Sequence, residues 1–318
     1  MKKYLIYIFS SSLIILLIIL NIFKEKEYIR NLFYMDTYIS VKITSKTDVN
    51  KVLDYIEETF KYYDNLTNRY NHNSELSKIN NVEGTFEINE DLYKLLEYSI
   101  NYYNETNGLF NINMGNVIDV WKKYKEKDSG VPTKKELEKD TNINNIKLLD
   151  NNKVYVNNVN IDLGGIVKGY VTKLLGEYLD KEGIKKYIIN AGGNVIVGSK
   201  NPYYKIGIEN PSNSSEILDI IKGNNICVVT SGGYNRFYEY EGIKYHHILD
   251  PNTNYPTNYM QSVTIISKDC ALADILSTTL FLMDIEAGKE FIKKYDVDVI
   301  WYDNDNNIIK TEGIKKYE

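Results

Sequence analysis

The stretch I-D-L-G-G-I-V-K-G-Y, Ile161 to Tyr170, decides how this chain is read. Its apolar-acidic-apolar start suggests the end of a strand, and the pair Gly164-Gly165 permits a tight turn. From Lys168-Gly169 onward the residues Ile166, Tyr170, Leu174 and Leu175 fit a helical spacing. A strand end, a glycine turn and a helix start let backbone N–H and C=O groups face a ligand: the unpaired N–H groups attract anions, and the glycine turn lets a phosphate or a metal approach the backbone. The pattern is neither the G-x-G-x-x-G fingerprint nor a P-loop. Taken alone it is also a plain strand-to-helix corner, so the rest of the chain has to decide.

Upstream, M-D-T-Y-I-S-V-K-I-T from Met35 alternates like a strand with one buried face. After Asp48, read as an N-cap, Val52, Leu53, Ile56, Phe60 and Tyr63 recur at helical spacing. A polar loop around Tyr70 precedes S-E-L-S-K-I-N, where Ser74 is suited to cap a short helix. A second helix is expected from Glu90 to Glu105, stopped at Asn107-Gly108. The segment F-N-I-N-M-G-N-V-I-D-V-W from Phe110 follows, and the charged stretch Lys122 to Asn145 reads as a surface excursion.

Downstream, Y-I-I-N-A-G-G-N-V-I-V-G from Tyr187 gives two strand-like runs broken at Ala191-Gly192-Gly193. The run from Ile226 to Pro251 reads as strands around a hairpin turn at Glu241-Gly242. A strand (Ser262 to Ser267), a helix (Ala271 to Met283) and a closing strand pair (Val297 to Trp301, Ile308 to Lys310) complete the chain. Adjacent runs of strands without strict β-α-β alternation make the fold class α+β, with mixed sheets and packed helices. No spacer or repeat divides it, so residues 31–318 are expected to form one unit behind an amino-terminal segment, residues 1–30.

The 318 residues carry 38 basic and 43 acidic side chains, a formal charge of −5, and no basic stripe that would suit nucleic acid. Between Lys3 and Lys24 there is no charge, and that apolar run is long enough to cross a bilayer as a helix. Its flanking charges favour a cytoplasmic start. It lacks the small residues of a cleavage site and a following lipobox cysteine, so the expectation is an uncleaved anchor in the cell membrane with an extracytoplasmic catalytic part. Cys227 and Cys270 are the only cysteines, read as two buried single thiols with no disulfide or zinc framework implied. The 29 tyrosines are read as a bias of the coding sequence before any chemistry.

Three clusters can carry chemistry. One is the turn Asp162 to Lys168. Another is Y-H-H-I-L-D-P, Tyr245 to Pro251, where His247 either hydrogen-bonds Asp250 or moves a proton. The third is A-D-I-L-S-T, in which Asp274 and Thr278 stand four apart on one helix face. A carboxylate and a hydroxyl so placed are hard oxygen donors suited to Mg²⁺, although the same pair also serves as an ordinary helix start with a self-bonded threonine.

In order, I-D-L-G-G-I-V-K-G-Y, N-A-G-G-N-V-I-V-G, V-V-T-S-G-G-Y-N-R-F, H-I-L-D-P-N-T and A-D-I-L-S-T-T resemble the motifs of the ApbE family of FAD:protein FMN transferases. The M-D-T, S-E-L-S-K-I-N and F-N-I-N-M-G-N segments fit the same family. The resemblance implies an ApbE-like fold and a Mg²⁺-dependent enzyme that takes FAD as substrate. It would join the FMN half through a phosphodiester to a Thr or Ser of a partner protein and release AMP. The expected acceptor is a membrane redox subunit with a Ser/Thr-Gly-Ala-Thr type sequence, which this chain itself lacks.

Position by position, the resemblance implies that Asp274, Thr278 and the Gly165 carbonyl hold the metal. Met35, Tyr70, Phe110, Asn111, Asp162, Lys168 and Ile248 fall where the family contacts FAD, and His247 where it has its candidate catalytic histidine. The chain departs from the family pattern at Asp36, usually Gly, at Asn111, often Asp, and at Asn254, usually Gly. Two other readings share the same motifs: an FAD pyrophosphatase giving FMN and AMP, and a flavin carrier without turnover.

Overall fold

The computed structural model describes residues 24–200 and 204–318. The apolar run read as a membrane anchor lies within residues 1–23, outside those described. Lys26 to Arg30, grouped with that anchor by the sequence reading, instead open the first strand. Among the described residues no helix is long and apolar enough to cross a membrane.

Strands β1 (Lys26–Tyr34) and β2 (Thr37–Ser45) precede helices α1 (Asn50–Thr67) and α2 (Glu75–Ile79), strand β3 (Glu83–Glu87), and helices α3 (Glu90–Glu105), α4 (Gly115–Lys127) and α5 (Lys134–Leu137). Strands β4 (Ile146–Leu149) and β5 (Lys153–Asn157) lead to helix α6 (Val167–Lys181). A run of strands follows: β6 (Tyr187–Ala191), β7 (Asn194–Val197), β8 (Tyr204–Asn210), β9 (Asn213–Gly223), β10 (Ile226–Gly232), β11 (Phe237–Tyr240), β12 (Ile243–His246) and β13 (Met260–Ser267). Helices α7 (Cys270–Phe281) and α8 (Ile285–Phe291) and strands β14 (Asp298–Asp303) and β15 (Ile308–Lys310) close the chain.

One eight-stranded sheet, in the order β1-β2-β6-β7-β10-β13-β14-β15, is antiparallel throughout. Its strands alternate between two cores because successive side chains point to opposite faces. Along β10, Cys227 and Val229 join the core under the helices, which holds Ile56 and Phe60 of α1, Val171 and Leu175 of α6, and Ile275 and Leu276 of α7. Ile226 and Val228 face the other way, against Ile206, Ile208 and Ile221 of the β8-β9 hairpin. Burying each of these large aliphatic side chains contributes about 1.5–3 kcal/mol, so the sheet is clamped from both sides at its centre. Its β1-β2 edge is different. There Ile29, Phe33 and Tyr38 remain exposed.

Two sequence expectations are corrected here. Ile161 to Leu163 do not end a strand, since β5 stops at Asn157. The segment is tied instead by side chains and loops: Ile161 N–H donates to Asn80 Oδ1 at 2.8 Å, Asn80 Nδ2 donates to the Ile161 carbonyl at 3.0 Å, and Asp162 N–H donates to the Ile112 carbonyl at 2.8 Å. Cys227 and Cys270 are not single thiols but a disulfide. β13 returns antiparallel to β10, and α7 starts just beyond it, so two residues 43 apart in sequence come to a Cα separation of 5.3 Å.

Candidate active site

The helix α6 begins at the glycine turn, and no side chain caps its amino terminus. Its unpaired first-turn N–H groups therefore need an acceptor, and one comes from α7: Gly169 N–H donates to Asp274 Oδ2 at 2.8 Å. This approach demands glycine at 169. A Cβ there would stand 2.4 Å from the Cys270 carbonyl oxygen and 2.5 Å from Asp274 Cβ. Gly165 is likewise wedged beside the Phe110 ring, with Thr278 Oγ1 close by. The turn and the Asp274/Thr278 face of α7 thus form one corner, and the disulfide pins the first residue of α7 to β10.

Asp274 is only 4% exposed, and burial pushes its carboxyl pKa upward against the opposing pull of Lys168, the Gly169 N–H and Asn194. No cation forms an ion pair with it among the described residues. Asn194 Nδ2 approaches Asp274 Oδ1 at 3.4 Å. Thr278 lies beside Ser231, whose Oγ shares hydrogen bonds with Ser277 Oγ at 2.8 Å and Thr278 Oγ1 at 3.4 Å. Lys168 reaches over the turn and donates to the Gly164 carbonyl at 2.8 Å. Among the described residues no group of three His, Cys, Asp or Glu side chains could hold a metal ion. What the corner does offer is one buried carboxylate short of countercharge, a hydroxyl and carbonyl oxygens. That donor set fits a small hard cation that keeps several waters.

His247 lines the same cleft as this corner. Its main-chain N–H and its ring Nδ1 both meet the Arg236 carbonyl, at 3.2 and 3.1 Å. A carbonyl only accepts, so Nδ1 carries the proton and Nε2 keeps a lone pair. Crowding by the surrounding protein lowers its pKa to about 4, and the positive charges of Arg236 and Lys168 push the same way, leaving the ring neutral at pH 7. The expected partner Asp250 is not used; its carboxylate instead closes the turn over Asn252 and Thr253. The neighbouring His246 is structural: Ile248 N–H donates to Nδ1, and Nε2 meets the Thr257 carbonyl at 2.8 Å.

A third part of the site comes from the loops after α1 and α3. Arg69, with a side chain 6% exposed, pairs with Asp119 and donates to Asn160 Oδ1, the Gly115 carbonyl and the Tyr70 hydroxyl. Asp162 lies 3.8 Å from Arg69 and accepts from Gly164 N–H at 2.8 Å. The ring of Tyr70 is exposed, with the Lys122 amine 3.9 Å from its centroid. Asn111 uses both ends of its amide inside the protein, donating to the Thr141 carbonyl and accepting from Asn113 N–H. Met35 and Asp36 form the two-residue turn between β1 and β2, both with a φ of 54°.

Met35, Tyr70, Phe110, Asn111, Asp162, Gly165, Lys168, His247, Ile248, Asp274 and Thr278 all line a single cleft of about 1190 Å³. That is more room than a drug-sized ligand needs and suits a dinucleotide. The sequence reading missed Arg69, Arg236, Asn194 and Ser231, which line the same cleft. For the two arginines a signal existed: in a chain that otherwise uses lysine there are only three, Arg30, Arg69 and Arg236.

The model of the ApbE family matches residues 35–301. An FAD:protein FMN transferase of Vibrio cholerae is 28% identical over 287 residues, covering 86% of this chain and 82% of that one. An FAD:protein FMN transferase of Buchnera aphidicola is 32% identical over 280 residues, covering 81% of each. The crystal structure of the ApbE protein from Thermotoga maritima superimposes with a TM-score of 0.86 at 29% identity, over 92% of this chain and 99% of that chain.

Proposed function

Because the chain belongs to the ApbE family, we propose that it is a Mg²⁺-dependent FAD:protein FMN transferase. It moves FMN from FAD to a Ser or Thr hydroxyl of an acceptor protein, forming a phosphodiester and releasing AMP. The observation that carries this reading is the convergence of eleven residues, drawn from Met35 to Thr278, on one cleft of dinucleotide size.

Asp274, Thr278 and the Gly165 carbonyl would hold the metal, which when bound supplies charge stabilisation to the diphosphate. The chain's own residues do the rest. His247 Nε2, with its lone pair free, takes the proton of the acceptor hydroxyl as its oxygen attacks the phosphorus on the riboflavin side. The bond from that phosphorus to the bridging oxygen breaks, and the oxygen leaves with AMP. Lys168, whose charge acts on both His247 and Asp274, offsets charge on the phosphoryl oxygens. Tyr70 provides a ring face, and Met35, Phe110 and Ile248 provide apolar surface for the flavin or adenine.

The proposal extends to place: an amino-terminally anchored enzyme acting outside the cytoplasm on a membrane redox subunit. The Cys227–Cys270 disulfide supports an oxidising compartment.

The test incubates the purified chain with FAD, Mg²⁺ and a candidate acceptor carrying a Ser/Thr-Gly-Ala-Thr sequence, and reads acceptor mass and free nucleotides. A gain of one FMN with one AMP released is the expected result. Free FMN and AMP with an unmodified acceptor would turn the reading to a pyrophosphatase. Bound FAD without turnover would leave a flavin carrier.

A further inference from the structure

Asn194 opens β7 directly after the Gly192-Gly193 turn, and its backbone pairs with Ala191 on one side and Val229 on the other. The residue is fixed in the middle of the main sheet. Its side chain is 3% exposed and reaches the metal corner, where Nδ2 faces Asp274 Oδ1 at 3.4 Å. The other end of the amide is the anomaly. Asn194 Oδ1 is fully buried and accepts no hydrogen bond, although it belongs to a residue lining the cleft beside Asp274.

Buried side-chain oxygens in folded proteins nearly always have a partner, and the exceptions call for an explanation such as an ion. Here the explanation is close by. An amide oxygen is a hard, neutral donor of the kind Mg²⁺ and Ca²⁺ accept alongside carboxylates and carbonyls. We infer that Asn194 is a further oxygen donor to the metal site, adding to Asp274, Thr278 and the Gly165 carbonyl. The inference rests on the metal reading of Asp274 and Thr278.

Two roles for Asn194 predict different results. If the amide only steadies Asp274, the Nδ2 donor matters. If it serves the cation, the oxygen matters. Asn194→Asp removes the donor and keeps an oxygen, whereas Asn194→Ala removes both.

Mg²⁺ is titrated calorimetrically into the FAD-free full chain, with the metal-free melting temperature recorded for each variant. Asn194→Ala is expected to bind Mg²⁺ about 10- to 100-fold more weakly, the usual loss for a supporting group of a metal site. Asn194→Asp is expected to bind at least as tightly as the natural chain while melting lower without metal, because it sets a second carboxylate beside Asp274. Equal weakening in both variants, or none in Asn194→Ala, overturns the inference. Should Asn194→Ala fail to fold, Asn194→Asp decides alone: weakened Mg²⁺ binding rejects the donor role. Failure of the natural chain to bind Mg²⁺ would instead remove the metal reading itself.

Discussion

The two ends of the cleft are built in opposite ways. At one end Asp274, Thr278 and Gly169 sit on α6 and α7, packed against the central sheet and tied to it by a disulfide. At the other, Tyr70, Lys122, Asp36 and Arg236 stand on loops, a helix face and a hairpin tip, largely open to solvent. Charge–charge and charge–dipole interactions are strong where water is excluded and weak where it is not. The buried end is therefore suited to stabilise charge that develops during reaction, and the open end to add contact area. Changes at the first should act on kcat and changes at the second on KM.

The sharpest way to break this comparison is Asp274→Asn. Loss of the carboxylate should reduce FMN transfer at least ~10³-fold, the scale of losing a pre-organised charge in a closed site, and should abolish saturation by Mg²⁺. The same variant should melt higher than the natural chain when both are metal-free at pH 7. The sign follows from burial: a carboxyl whose folded pKa is raised adds stability below its unfolded value and loses it as pH rises. The advantage of the Asn variant, on the order of 1 kcal/mol, should thus fade as pH falls towards 4. A metal-free variant less stable than the natural chain at pH 7 would show that the buried end is not strained for function.

His247→Ala comes next. Loss of a general base typically lowers kcat by about 10²–10⁴, and FAD binding should change little. In the natural enzyme the acid limb of kcat/KM, which reports the free enzyme, should fall near pH 4, where His247 becomes protonated, and not near its ordinary value of about 6.5. The lowered pKa also means that His247 adds stability above about pH 6.5, lost as pH falls through 4. An acid limb at 6.5 would mean that the proton goes elsewhere.

Gly169→Ala tests the buried end without removing a charged group. The added methyl would meet the Cys270 carbonyl and Asp274 Cβ at 2.4 and 2.5 Å, so α6 and α7 must separate. A stability loss of about 1–3 kcal/mol in denaturant titrations is expected, together with weaker Mg²⁺ binding. Unchanged Mg²⁺ affinity would show that the helix contact and the proposed Mg²⁺ site are independent.

Which of these residues could be seen in sequence follows from the same contrast. Asp274 and Thr278 share a helix face at a spacing of four, so their juxtaposition is written locally. The strands from Tyr187 to Val197 and from Ile226 to Ser267 were legible because each alternates or runs apolar between turn residues, and the hairpin at Glu241-Gly242 formed where its turn chemistry placed it; β9 (Asn213–Gly223) went unread. I-D-L looked like a strand because its apolar-acidic-apolar rhythm is that of a strand, while its partners are the Asn80 side chain and the Ile112 carbonyl. No local pattern reveals such partners. Arg69 depends on Asn160, 91 residues away, and the disulfide spans 43, so both needed the topology before they could be recognised. Asn194 lies inside a recognised motif, but strand rhythm gave no hint of the amide oxygen left over.

At the open end Tyr70→Ala should raise the KM for FAD about 3- to 10-fold, the value of one aromatic contact, and leave kcat within about twofold. A fall in kcat larger than the rise in KM would place Tyr70 with the reacting groups and blur the division between the two ends.

The smallest effect is expected from Asp36→Gly, and its smallness is the point. Asp36 holds a φ of 54°, a conformation that costs most L-residues roughly 1–2 kcal/mol and glycine nearly nothing. Against that relief stands its ion pair with Arg236, 3.4 Å long, with the Asp36 side chain 85% exposed. Pairs so exposed are worth about 0–1 kcal/mol, and the added freedom of glycine in the unfolded chain subtracts a similar amount. These terms nearly cancel, so stability should shift by no more than about 0.5 kcal/mol. Catalysis should hardly change either, because His247 is held by the Arg236 carbonyl through main-chain and ring hydrogen bonds that do not involve Asp36. A drop in kcat of about tenfold or more in this variant would reveal that the Arg236 side chain, not only its carbonyl, must be anchored to orient the histidine, and the hairpin tip would then belong to the working end of the cleft.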